Sequence, residues 1–423
     1  MAKERRDSKN RILGKGEYQK EDGRYMYRYK DMNGKTAYVY SWTLTSTDRT
    51  PKGKSHGPCL RDLERSIAAD LLDKIDTGKA KQETLNDCFE KYMKMKRRLK
   101  PTTRRNYTYN YDRFVRNSIG NMKIADIKYS DIKRFYSSII MDEGKSIKQV
   151  MNMNVFLSPV FKMAVKDNLI RSNPATEVIK ELKDEWGYEA ADKKALTIAE
   201  QEAFIKFVRE SNCYKKWYPL FILLLGTGCR IGEACGLTWS DCDFKNKVIR
   251  INKNLSYYPE EGTGKYVWRV LKPKSKSSIR EVPMFEEVKS ALQQERVRQM
   301  KEGFNTSVVD GVSGFVFCSS GNTVLMPANI NGVILRIVDA YNKKETTDAI
   351  KEHREALYLP DFSPHTFRHT FCTRLCENET NLKMIQEIMG HSNFNITMDI
   401  YNNISQNTKM RSFKNLEGKM KIC

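Results

Sequence analysis

Histidine, paired cysteine and long apolar runs are all scarce in this chain. Five histidines are spread over 423 residues, and none of the ten cysteines stands in a CxxC pair. Without a regular cysteine framework, reduced thiols in a cytosolic protein are the expected state. No run approaches the roughly 18 apolar residues of a membrane-spanning helix. FILLLG (221–226) is too short for that and reads as a buried helix. The N-terminus MAKERRDSKN has no apolar region and does not read as a signal peptide. A cytoplasmic location is therefore expected. Acidic residues are also in short supply, 52 against 74 Lys and Arg, a formal charge of +22. The excess is not a tail, because residues 1–75 carry 17 basic and 11 acidic residues and residues 79–190 carry 23 and 14. Such an imbalance suggests a polyanion partner along several segments. Clustered carboxylates of the kind that hold Mg²⁺ do not accompany it, which weighs against a metal-dependent nuclease.

The length suggests two or three domains. Residues 1–10 are charged and expected to be disordered. RYMYRYK (24–30) alternates basic with aromatic or apolar residues as a half-exposed strand does, Asp31–Gly34 supplies a turn, and AYVYSWTL (37–44) is a second strand-like run. An earlier short strand is expected near 12–19, and a helix over 60–75. Arg24, Arg28 and Lys30 then share one sheet face, which could sit in a DNA groove or simply face water. Residues 84–185 read as all-helical. Between Lys91 and Arg116 stand ten basic residues and one acid, Asp112, with Tyr107, Tyr109 and Tyr111 interleaved. Lys94, Lys96, Arg97, Arg98, Arg104, Arg105 and Tyr107 are read as a surface that contacts nucleic-acid backbone. KDEWGYEAADKK (183–194) reads as a linker. A capping box, Thr197-x-x-Glu200, opens a larger, mainly helical domain with a β insertion over 247–253, 265–272 and 277–284.

Within that domain, SPHTFRHTFCTRL (363–375) holds two of the five histidines. Ser363 and Pro364 suit an N-cap and first helical position. His365, His369, Cys372 and Cys376 form one stripe about 16 Å long on such a helix, and a single zinc with ligands at roughly 2.3 Å reaches only two of them. The alternative is an anion site at the helix N-terminus, with His365 and Arg368 aimed at a phosphate. Other residues favour phosphoryl chemistry. Arg230 follows a Gly-rich break in GTGCRIGEACGL, with Glu233 placed to hold its guanidinium. LKPKSKSSIREVP (271–283) looks like a hairpin with Lys272, Lys274 and Lys276 near its tip, one of which could protonate a leaving oxygen. His391 follows Gly390 at a helix end. Tyr401 comes ten residues later. A tyrosine, with a pKa of about 10, is a poor nucleophile unless cations stabilise the phenolate and the pentacoordinate transition state.

In this order and spacing, Arg230, Lys274, His365-Thr-Phe-Arg368, Gly390-His391-Ser and Tyr401 resemble the tyrosine recombinase (phage integrase) family. DGRYMYRYKDMNGKTAYVYSW resembles the arm-binding domain of integrases from conjugative transposons of Gram-positive bacteria. The resemblance implies a multidomain, mainly α fold. It has an arm-type DNA-binding domain at 1–77 (small β-sheet plus helix), an all-α core-binding domain of SAM-like type at 80–184, a mixed, mainly α catalytic domain with a β-sheet or hairpin at 193–405, and a tail at 406–423 that docks on a neighbouring subunit. It implies that Tyr401 attacks the scissile phosphate. Arg230 and Arg368 clamp its oxygens, His391 adds a hydrogen bond, Lys274 protonates the leaving 5′-oxygen, and His365 assists proton transfer. Lys272 and Lys276 remain alternatives to Lys274. No metal, ATP or other cofactor is implied. The implied partners are double-stranded DNA, a homo-tetramer on synapsed duplexes, an excisionase and a host DNA-bending protein, in a bacterial, nucleoid-associated setting. A type IB topoisomerase-like enzyme and a non-catalytic architectural DNA-binding protein are the alternatives.

Overall fold

A computed structural model describes residues 4–31, 34–72, 82–189, 195–260, 263–272, 276–319, 321, 323–379, 381–391 and 393–402. The chain divides into two compact units, Met1–Ala190 and Ala191–Cys423.

The first unit opens with three antiparallel strands, β1 (Glu17–Gln19), β2 (Tyr25–Lys30) and β3 (Thr36–Ser41), in that order. Strand alternation splits their residues between two faces. Tyr25, Tyr27 and Val39 face a small core with Leu13, Leu44 and Leu60, which helix α1 (Leu60–Leu72) closes. Arg28 and Lys30 lie on the opposite, exposed side, where Arg28 pairs in register with Tyr38 and Lys30 with Thr36. Arg24 lies over the Tyr40 and Trp42 rings. The expected basic and aromatic face is therefore present.

The expectation of disorder for residues 1–10 is corrected from residue 4 onward. Arg6 bridges Ile12, and the buried Asp7 carboxylate accepts from Tyr25 Oη (2.9 Å) and Arg11 Nε (2.8 Å). Composition missed this because the charges here are paired inside rather than solvated. Arg11 reaches on to Asp48 (2.8 Å), whose second oxygen accepts the Leu44 amide. Burial alone would raise the Asp48 pKa. The hydrogen bonds from Arg11 and from the Leu44 and Thr45 amides outweigh it and hold the carboxyl below the usual range. Its folded pKa is thus below the unfolded one, so this contribution is present above the ordinary carboxylate pKa and fades as pH falls through the folded value. Asp48→Asn should destabilise this domain by about 3 kcal/mol at neutral pH, since it leaves Arg11 half-paired. Urea melts at pH 7 and pH 3 should show the gap between variant and unaltered chain narrowing in acid.

Helices α2 (Leu85–Met95), α3 (Pro101–Asn110), α4 (Tyr129–Met141), α5 (Ile147–Lys166) and α6 (Val178–Glu185) complete the unit. Thr84 caps α2, accepting the Asp87 amide while Asp87 accepts the Thr84 amide. A π-helical turn, Tyr111–Val115, carries Tyr111 into the core, stacked on Phe89 at 3.6 Å. Helix α6 runs to Glu185, into the stretch expected to be a linker.

The second unit starts with α7 (Ile198–Glu210), capped by Thr197 and Glu200 as expected. Helix α8 (Tyr218–Thr227) is the apolar LLL segment, buried against α7 and α10 (Glu286–Glu302). After the short α9 (Ile231–Cys235) come β4 (Cys242–Asp243), β5 (Val248–Ile251), β6 (Asn254–Pro259), β7 (Tyr266–Leu271) and β8 (Arg280–Pro283). Strand β5 pairs with β8 and β6 with β7, both antiparallel. Segment 271–283 is therefore not a hairpin of its own, which corrects the expectation. Ile251 pairs with Arg280 and Asn254 with Leu271, so the two ends of that segment pair with other strands and not with each other. Helices α11 (Asn329–Glu352), α12 (Pro364–Asn378), α13 (Leu382–Met389) and α14 (Phe394–Asn402) follow. Helix α14 packs on α12 and α13. Among the described residues no helix is long and apolar enough to cross a membrane.

Candidate active site

Gly228 ends α8 in the left-handed conformation, φ 58°. A Cβ there would collide with the Phe371 ring, so the turn needs glycine. It delivers Arg230 as the N-cap of α9, 36% exposed at its side chain. One turn on, the buried Glu233 folds back as expected. Its Oε1 accepts Arg230 Nη1 (2.8 Å) and its Oε2 accepts the Arg230 amide (2.9 Å).

Arg368 projects from the first turns of α12 and is only 6% exposed. Its Nη1 donates to Gly228 O (2.7 Å) and its Nη2 to Met389 O (2.6 Å), leaving the rest of its five donors for another acceptor. Arg280, at the start of β8, donates from Nε to the preceding carbonyl, Ile388 O (2.7 Å), and from Nη2 to Glu233 Oε2 (3.0 Å). The contacts close a ring. Arg230 leads to Glu233, then to Arg280, to the C-terminal carbonyls of α13, to Arg368, and back to Gly228 beside Arg230.

That ring holds three guanidiniums and one carboxylate. Burial, and then the Arg230 and Arg280 charges, pull the Arg368 pKa down to about 10. Arg368 stays charged at neutral pH, but in a place that lacks negative charge. Glu233 is held low: burial would raise it, and Arg280 and the Arg230 contacts overcome that. Such a pocket suits an incoming anion.

Gly390 caps α13 at φ 63°. A Cβ there would meet Ser277 O at 3.0 Å and the Arg280 side chain at 3.1 Å, so the chain passes close to Ser277 and Arg280. The next residue, His391, is 5% exposed, and its Nδ1 lies 3.0 Å from the buried Thr397 Oγ1 on α14. Burial, then the charges of Arg368, Arg230 and Arg280, push its pKa down to about 4. The ring is neutral at pH 7. In the tautomer in which Thr397 donates to Nδ1, Nε2 carries the proton and is a donor for an anion. Because the folded pKa lies below that of a free imidazole, the fold loses stability as pH drops from about 6.5 toward 4. A phosphate beside the ring offsets the guanidinium charges, so DNA should raise the His391 midpoint by about one unit or more. An NMR titration of the His391 ring with and without a DNA duplex checks this. An unchanged midpoint would place the phosphate elsewhere.

Tyr401 is half-buried on α14, packed against the small cluster of Phe371, Cys372, Cys376, Ile385 and Met389. Thr397 lies one helical turn before it, so the helix that carries the tyrosine also holds His391. His365 is exposed at the second position of α12. Ser363 and Pro364 start that helix as expected, with the Ser363 amide donating to Thr366 Oγ1 (3.3 Å). Lys274 lies outside the described residues. Lys272 is exposed at the end of β7. The histidine–cysteine stripe does not converge: Cys372 is buried, its pKa raised by its hydrogen bond to Cys376 and by burial. His369 Nδ1 meets Thr373 Oγ1 at 3.3 Å. Among the described residues no three His, Cys, Asp or Glu side chains are grouped to hold a metal ion.

Two members of the constellation went unrecognised in the sequence. Arg280 had a signal, a charged residue in the same strand parity as the buried Val282. Thr397 had only a small hydroxyl one turn before a tyrosine.

In the first unit, Lys94, Lys96, Arg97, Arg98 and Arg105 are exposed. Arg104 is turned inward, donating to Met93 O (3.2 Å) and Lys96 O (3.0 Å) at the end of α2. The half-buried Tyr107 packs on Phe156 at 5.4 Å. These two serve the fold in this structure, and only the other five form an open basic surface.

Comparison with known proteins places the whole chain. Residues 194–408 match the model of the phage integrase family, residues 1–71 that of the DNA binding domain of Tn916 integrase, and residues 84–140 that of the phage integrase N-terminal SAM-like domain. The transposase from transposon Tn1545 of Streptococcus agalactiae is 33% identical over 98% of this chain and 97% of its own length. The transposase from transposon Tn916 of Enterococcus faecalis shows the same identity and coverage. The structure of the Tn1549 transposon integrase in complex with transposon right end DNA superposes with a TM-score of 0.68 at 31% identity, covering 79% of this chain and all of that one. The ring of arginines, the histidine beside it and the tyrosine helix that meets this histidine through Thr397 thus lie in a chain that belongs to the phage integrase family.

Proposed function

We propose that this chain is a site-specific DNA recombinase that integrates and excises a transposon-type element through a phosphotyrosyl intermediate. The observation that carries the reading is the under-neutralised ring of Arg230, Arg280 and Arg368 around one carboxylate, with the neutral His391 beside it. Arg230 and Arg368 bind the non-bridging oxygens of a DNA phosphate, and His391 Nε2–H donates to the same group. Tyr401 Oη attacks phosphorus. The new O–P bond forms as the P–O5′ bond breaks, the phenolic proton departs with help from His365, and Lys274 protonates the 5′-oxygen. The products are a 3′-phosphotyrosine and a 5′-hydroxyl. A 5′-hydroxyl from the partner strand then attacks the same phosphorus and releases Tyr401. One phosphoester replaces another at each step, so the exchange needs no nucleotide hydrolysis. The guanidiniums supply the charge stabilisation that a metal provides elsewhere.

The proposed division is 1–77 for arm-site DNA, 80–184 for core-site DNA, 193–405 for chemistry and 406–423 for docking on a neighbour. Arg24, Arg28 and Lys30 on the sheet, and Lys94, Lys96, Arg97, Arg98 and Arg105 on the helical surface, contact backbone phosphates. By family resemblance the working assembly is a tetramer on two duplexes, assisted by an excisionase and a DNA-bending protein.

The test uses a duplex carrying the element-end sequence, nicked near the cleavage position so that the short fragment bearing the freed 5′-hydroxyl diffuses away. Incubation in EDTA, denaturation and electrophoresis should show a covalent protein–DNA band. Tight binding without a band on authentic end sequences would favour an architectural DNA-binding protein.

A further inference from the structure

We infer that Arg280 is a positioning residue for the phosphate clamp, holding Arg230 through Glu233 and His391 through the end of α13. The inference rests on the proposed function of this site and adds a member that does not itself touch DNA. The Arg280 side chain is 5% exposed. Its donors serve Ile388 O (2.7 Å), Ser278 O (3.2 Å) and Glu233 Oε2 (3.0 Å), so they point into protein rather than toward a ligand.

Each contact leads to a different working part. Glu233 fixes both the amide and the guanidinium of Arg230. Ile388 precedes Met389, whose carbonyl holds Arg368, and Gly390-His391 follow at once. Ser278 lies just before β8, and the neighbouring Ser277 O is 3.0 Å from where a Cβ at Gly390 would sit. One side chain therefore sets the mutual register of two clamp arginines and the histidine.

A purely structural reading fits poorly. A buried ion pair seldom outperforms well-packed apolar side chains for stability. Here the added charge also works against its neighbours, depressing both Arg368 and His391. Arg280 is paired with Glu233, but its charge disfavours the charged forms of Arg368 and His391, and a phosphate entering the ring offsets that part. Lysine is no substitute, because a single ammonium cannot reach three acceptors set around a planar fork.

The experiment measures single-turnover covalent complex formation on the nicked duplex, with DNA binding and thermal melting measured in parallel. The unaltered chain is tested first; if it forms no tyrosine-linked DNA, the proposed function fails and Arg280 is not yet at issue. Given that activity, Arg280→Lys should still bind the duplex and should melt lower, because acceptors among Ile388 O, Ser278 O and Glu233 lose their donor, yet per folded molecule it should form the complex about 100-fold more slowly, the effect of displacing a clamp by about an ångström. Arg280→Ala, which leaves a guanidinium-sized space, should regain at least about tenfold in rate with added methylguanidinium, a return of one decade of orientation. Cleavage by Arg280→Lys within about threefold of the unaltered rate, less than one good contact is worth, would overturn the inference. So would variants that lose cleavage only in step with folded protein and gain nothing from methylguanidinium.

Discussion

Tyr401→Phe should bind the nicked element-end duplex as tightly as the unaltered chain and form no covalent complex with it. The change removes one oxygen and keeps the ring. The ring is what packs against Phe371, Cys372, Cys376, Ile385 and Met389, so the seat of α14 on α12 and α13 is retained. Thr397, one turn earlier, still meets His391 Nδ1. What disappears is the nucleophile, and loss of a covalent nucleophile costs on the order of 10⁶-fold, beyond detection in this assay. Residues 402–423 contain no other tyrosine to take its place. A band that survives would put the nucleophile on another residue. Loss of DNA binding together with the band would instead show that the phenol helps to dock α14.

How much of this was legible in the sequence depended on the kind of signal. Strand parity placed Arg28 and Lys30 on the open sheet face, because alternation is a local property of the chain. Capping patterns located the starts of α7 and α12 for the same reason. Glu233 could be paired with Arg230 because the two are one helical turn apart. Contacts distant in sequence were different. Arg280 reaches Ile388, 108 residues away, and Arg368 reaches Gly228, 140 residues away. Nothing in local spacing reports such partners. Long-range register also defeated the reading of 271–283, whose ends Leu271 and Arg280 pair with Asn254 and Ile251. In the basic helical region, charge density was read as exposure. Arg104 caps a helix end and Tyr111 lies in the core, because a basic or aromatic residue type does not fix which way a side chain points. The same error, in reverse, made residues 4–10 look disordered when Asp7 is buried among its partners.

Arg368→Met should lower covalent complex formation by about 1000-fold, the value of a preorganised donor aimed at developing negative charge, while leaving the melting temperature within a few degrees. The two halves of the prediction come from the same geometry. In the DNA-free protein the guanidinium is buried beside Arg230 and Arg280, and its pKa is depressed to about 10. Removing the charge relieves an unfavourable interaction worth about 3 kcal/mol at most for a shift of that size. Against this, Gly228 O and Met389 O lose their donor, at about 1–3 kcal/mol for each buried acceptor left without one. The opposing effects are of similar size, so the fold neither gains nor loses much. An arginine retained for stability would behave otherwise: its removal would unfold the domain, and cleavage would fall only as far as the folded fraction fell. Sulfate separates the cases further. If the ring is an anion site, the unaltered protein should melt higher as sulfate is added, in excess of an equal ionic strength of chloride, and Arg368→Met should lose that difference. A variant that melts far below the unaltered chain, or that keeps the full sulfate response, would mean that Arg368 serves the packing of α8 against α13 and that the phosphate is held by other residues.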